Sequence, residues 1–193
     1  MSTATPREPQ IIEAFNGYDP SFPVTKLVRK MLRSVPPKFL GGLHAVVLTN
    51  AAALSRQQRK KRGLGTRTPI EETLGYYSEV WMGEPARITL LLDNIEKQWP
   101  GWWWRIGFIR AMAVSRTFFH ELGHHIHRVH RPKYEDREDV AKKYSRKLSS
   151  QFLLGRYWYL VPIAAPIALI VGLASDVKGL VRRLRARGQR GAK

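Results

Sequence analysis

The chain has 193 residues, carries 33 lysines and arginines against 15 acidic residues, and contains no cysteine. Disulfides and thiolate metal sites are therefore excluded, and any metal must be held by His, Asp or Glu. A net charge of +18 points to polyanionic partners, either an anionic membrane face or non-specifically bound nucleic acid.

Residues 1–22 read as a polar, proline-containing lead. Its opening, MSTATPREPQIIEAF, carries Glu8 and Glu13 and has no continuous apolar core. No secretory signal is expected there, and the expected location is cytoplasmic. Val24, Leu27, Val28, Met31, Leu32 and Val35 recur at helical intervals and predict a helix with a basic outer face, stopped by PPKFLGG. Leu43 to Asn50 is a short valine-rich run and predicts a buried strand, with His44 as a satisfied core residue. Six cations and no acid lie between Arg56 and Arg67, which predicts an exposed, mobile loop. Tyr76–Trp81 and Ala86–Leu92 read as two strands about an MGEP turn. A long helical pattern runs from about Trp103 to near Pro132, and another from Glu135 to Leu154. The elements together predict an α+β domain with a three-stranded sheet.

Tyr157 to Ser175 runs 19 residues without a charge, about the length that spans a bilayer. Pro162 and Pro166 would kink such a helix, and five cations in 142–156 and seven in 176–193 flank it. A membrane-associated helix, an interfacial dip and a helix buried against the domain or in a dimer interface all fit this pattern. RQQRKKRGLGTR and KGLVRRLRARGQRGAK would suit phosphate contacts, but no helix-turn-helix, RNP-like or zinc-ribbon signature accompanies them.

Most of the six histidines fall in HELGHHIHRVH, residues 120–130. His120, Glu121 and His124 spell H-E-x-x-H. On a helix, four residues turn 400°, so His120 and His124 project from one face a turn apart and can reach one zinc ion. Glu121 lies beside them, placed to take a proton from water and later give it to a leaving amine. His125 and His127 are expected to face solvent or to pack on the basic helix end.

Three residues compete for the third ligand. His130 has the H-E-x-x-H-x-x-G-x-x-H spacing, but position 127 is His rather than Gly, and all four methionines precede the motif. The other source is YEDREDVAKKYS, where Glu135, Glu138 and Asp139 share one side of the next helix. Glu138 is preferred over Glu135, because the small Ala141 three residues on lets this helix approach the histidine helix closely. Some of these acids are explained by the helix dipole alone.

HELGHH followed by EDVAKKYS resembles the gluzincin metallopeptidases, in particular their minimal forms and the ImmA/IrrE-like proteins, over about residues 23–154. The resemblance implies a zincin-like zinc metalloendopeptidase with one Zn2+ per chain, acting on a peptide or protein substrate. His120, His124 and Glu138 would be ligands and Glu121 the general base. Ala86 to Leu92 would be the edge strand along which an extended peptide lies. Tyr76, Tyr77 and Tyr144 are oxyanion-stabilising candidates by residue type. The chain departs from the pattern at Lys142, where the family has Asp or Asn after the alanine; this leaves room for a zinc-binding protein with little activity. The expected organisation is a lead at 1–22, a zincin-like domain at 23–155, an apolar segment at 156–176 and a basic tail at 177–193.

Overall fold

The computed structural model describes residues 8–60, 68–79, 85–130 and 137–160. The chain divides into a unit of residues 1–153 and a second from residue 154. The first is an α+β unit built on a four-stranded mixed sheet. Strand β1 is Gln10–Ala14, β2 Leu43–Thr49, β3 Gly75–Ser78 and β4 Ala86–Leu91. They lie in the order β1-β2-β4-β3, with β1 and β4 parallel to β2 and β3 antiparallel to β4.

Two expectations are corrected here. The sheet has four strands rather than three, because the polar lead supplies β1. Its residues are mostly exposed and it lies at one edge of the sheet. It is held by register with Ala45 to Thr49. The ladder is prolonged by side chains: Thr49 Oγ1 donates to the Ala14 carbonyl at 2.6 Å, and Asn50 exchanges two bonds of 2.9 Å with the backbone of Asn16. The second correction concerns Ala86–Leu92. That run is not an edge: β4 is paired on one side by β2 and on the other by β3. Its near-continuous burial is what a doubly flanked strand requires. Leu92 belongs to the following helix rather than to the strand.

The helices are α1 (Val24–Ser34), α2 (Arg56–Lys60), α3 (Leu92–Lys97), α4 (Gly107–His130) and α5 (Arg137–Tyr157). Helix α1 buries Val24, Val28, Met31 and Leu32 against the sheet core and ends where Pro36 forces Val35 into an extended conformation. The basic stretch begins with the short, largely exposed α2, while 61–67 lie outside the described residues. His44 is exposed rather than a core residue, since Leu43 and Ala45 on either side take the buried face of β2.

Helix α4 is the centre of the unit. Val114, Phe118, Phe119, Leu122 and Ile126 join the main core, and almost every residue from 117 to 126 is buried. A helix wrapped on all sides takes its polar side chains inside with it, so Glu121, His124 and His125 are buried. Helix α5 runs antiparallel along α4: Gly123 meets Ala141, Ser145 Oγ donates to the Arg116 carbonyl at 3.1 Å, and Ser115 and Ser149 hydroxyls are 3.2 Å apart. Of the second unit, residues 154–160 are described; Leu154, Trp158 and Tyr159 are exposed there. No helix among the described residues is long and apolar enough to cross a membrane. Residues 161–175 of the expected apolar segment lie outside them.

The α4–α5 crossing leaves no room for a side chain at Gly123. A Cβ there would stand 2.6 Å from the Ala141 Cα and 2.9 Å from its carbonyl oxygen, both backbone atoms. Gly123→Ala gains about 1 kcal/mol of helix propensity but must force the helices apart, at a cost of about 1–3 kcal/mol or more. The expected outcome is a lower thermal midpoint; an unchanged midpoint would show that the crossing is looser than this.

Candidate metal centre

His120 and His124 stand one turn apart on α4, and Glu138 faces them from the first turn of α5. The Glu138 carboxylate oxygens lie 3.7 Å from His120 Nε2 and 3.5 Å from His124 Nε2. One ligand atom from each residue falls within 4.8 Å of the others. These separations are long for hydrogen bonds. They suit an ion better: four-coordinate zinc, with bonds near 2.0–2.2 Å, separates its ligand atoms by about 3.3 Å. A small closure of the rings onto a shared centre would complete the fit. Two imidazoles and one carboxylate are also a donor set found at zinc sites that keep an open position. The residues present therefore fit a metal ion.

His120, His124 and Glu138 are thus brought together as the motif suggested. Glu135 falls outside the described residues, as does the side chain of His130. The approach of α5 depends on Ala141, fully buried three residues after Glu138.

The electrostatics suit metal capture. Burial holds both imidazoles toward their neutral, ligating form: His120 is lowered, and His124 is lowered to about 3, with His120 and Arg137 adding to the burial effect. Burial, with a smaller contribution from neighbouring Glu138, pushes Glu121 up to about 7 against the lowering effect of a backbone N–H donated by Tyr77. A carboxylate that changes charge near neutrality is suited to moving protons.

Two groups not singled out in the sequence complete the surroundings. Arg137 Nε donates to His124 Nδ1 at 3.2 Å. Glu79, just after β3, takes Arg128 at 3.3 Å and Arg137 at 3.9 Å. Since Nδ1 accepts, the neutral His124 ring carries its proton on Nε2, the nitrogen that faces Glu138. An ion held by Nε2 would leave that proton on Nδ1 and so would end the bond from Arg137. Lys142 buttresses neither histidine and is exposed.

His125 does not face solvent. It is 1 % exposed, with Nε2 3.0 Å from the Gly41 carbonyl and Nδ1 3.1 Å from the Tyr77 hydroxyl. The carbonyl can only accept, so Nε2 carries the proton and Tyr77 donates to Nδ1. This bridge pins α4 to β3 and to the turn before β2. His127 is half-buried. The tyrosine expectation is also corrected. Tyr77 is engaged by His125, Tyr144 packs edge-on against Phe39, and Tyr76 packs on Leu54, Ile70 and Leu91. None of the three lines the cavity beside His120 and Glu121.

Comparison with protein-family models, with curated proteins and with solved structures returned no match. The chemistry of the site therefore has to be argued from its own geometry.

Replacing His120, His124 or Glu138 by Ala is expected to weaken zinc binding by more than about 100-fold, while His130→Ala leaves it unchanged. Competition with a chromophoric chelator measures both. Loss of zinc in His130→Ala with retention in Glu138→Ala would move the third ligand to His130.

Proposed function

We propose that the chain is a zinc-dependent metallopeptidase of zincin-like, gluzincin type. The observation that carries this reading is a buried carboxylate, Glu121, on α4 beside a His120–His124–Glu138 donor cluster. A zinc ion in such a donor set supplies Lewis acidity toward a carbonyl and makes water nucleophilic near neutral pH. The chain's own residues supply the rest. Glu121 accepts a proton from the attacking water and hands it to the departing amine.

An extended peptide is best accommodated on the free edge of β3. The Leu74 carbonyl accepts from Leu91 N–H at 2.8 Å, so by strand alternation Gly75 and Tyr77 turn their backbone groups away from β4. The Tyr77 N–H is taken there by Glu121. Gly75, which lines the cavity, offers the adjoining stretch of edge to a substrate backbone, and β3 thus takes the part first expected of Ala86–Leu92.

Glu121→Gln keeps the shape of the site and removes the proton acceptor. It is expected to retain zinc and to lower peptide hydrolysis by about 10²–10⁴-fold. Equal activity of the two proteins on a broad peptide library would end the enzyme reading. A second reading, a zinc-binding module with little or no turnover, is favoured by Arg137 on the back of His124 and by a lysine at position 142.

Exposed Trp158 and Tyr159, 70 % and 53 % accessible, stand at the start of the charge-free stretch that ends at Ser175. Aromatic residues beside an apolar segment suit a membrane interface. We infer that this end attaches the chain to anionic lipid. The intact chain is expected to sediment with anionic liposomes at high salt, and a version ending at Gly155 to remain in solution. If both remain in solution, the apolar segment is a protein-packing helix.

A further inference from the structure

A cavity of about 670 Å³ opens beside the metal centre and reaches His120 and Glu121. One wall is apolar, from Leu74, Ile95, Trp99 and Ala113. Apart from those two site residues, every charged side chain lining it is a cation: Arg116, Lys142 and Arg146. All three are exposed, and no ion pair among the described residues joins any of them to a carboxylate. Arg116 and Lys142 line the same cavity as His120.

Their spacing is ordered. Arg116 precedes His120 by one turn of α4, while Lys142 and Arg146 follow Glu138 by one and two turns of α5. At 1.5 Å per residue these are about 6, 6 and 12 Å along the helix axes. The bond from Ser145 to the Arg116 carbonyl sets the two helices' cations at one level. Three like charges lining one cavity make it attractive to an anion. A carboxylate on the residue beside a cleaved bond lies about 5–7 Å from the scissile carbonyl, which matches the first rank of cations.

Resting on the peptidase reading, we propose that this cavity selects substrates by a carboxylate on the residue next to the cleaved bond, held by Arg116, Lys142 and Arg146 beside the Trp99 wall. That carboxylate is either an Asp or Glu side chain or a free C-terminus. The lysine that breaks the acidic position of the metallopeptidase pattern thereby has its own use: it faces the substrate rather than a histidine.

The test uses the full chain loaded with zinc and four peptides of one sequence, with Asp or Asn beside the cleaved bond and a C-terminal acid or amide. Binding is read by indole fluorescence on Glu121→Gln, and kcat/KM on the unaltered protein. The expected result is a preference of about tenfold or more for at least one carboxylate arm, weakened by salt. Lys142→Glu and Arg116→Glu, both at exposed positions and checked for folding by circular dichroism, are expected to reverse the preference. The arm that wins identifies side chain or terminus. Carboxylate-dependent binding without cleavage supports the pocket and ends the peptidase reading. Cleavage of all four peptides at equal rates overturns the pocket and leaves the peptidase reading standing. Failure of all four to bind at millimolar concentration, or competition by a single-stranded oligonucleotide with no discrimination among peptides, also overturns it.

Discussion

The contact on which this structure depends is the backbone crossing of α4 and α5 at Gly123 and Ala141. It lies one residue before His124 and three after Glu138. The carboxylate reaches the two imidazoles because nothing larger than a hydrogen separates the helices there. Everything chemical about the site follows from that distance. Were the axes an ångström or two further apart, Glu138 would be an ordinary acid in the first turn of a helix, favoured by the dipole, and the histidines would be unpartnered.

The second constraint is the wrapping of α4. The sheet, α1 and α5 leave little of its middle exposed. Polar residues on such a helix must find partners or change charge state. His125 finds two neutral partners and becomes a structural tie. His120 and His124 stay neutral, and Glu121 is left with one backbone donor and a perturbed charge. Burial thus sorts neighbouring residues of one segment into scaffold and chemistry, and the sorting depends on which face each occupies.

Local spacing is why much of the centre was legible in the sequence. His120, Glu121 and His124 follow from helical geometry alone, and Ala141 marked Glu138 as the acid whose helix could come close. What needed the fold was non-local. Strand β1 is five mostly exposed residues without alternation, and it exists through pairing with β2. The misplaced edge was partly readable, since RITLL buried on both faces argues for a strand flanked on both sides. His44 and His125 exchanged roles for readable reasons. Alternation about Leu43 and Ala45 turns His44 outward, and His125 shares the α4 face of Phe118, Leu122 and Ile126. Arg137, Glu79 and the cations of the cavity carry no pattern of their own; contacts between separate elements give them meaning.

The hydrogen bond from Arg137 to His124 makes entry to the centre an exchange rather than a filling. A cation bound at Nε2 would require the ring proton to shift to Nδ1 and the guanidinium to let go of that nitrogen. Ions that bind imidazole strongly recover that cost, whereas magnesium and calcium, which prefer oxygen, do not. The arginine would therefore set a threshold on binding through His124. Discrimination at His124 would then rest on an ion's affinity for imidazole nitrogen rather than on the shape of the site.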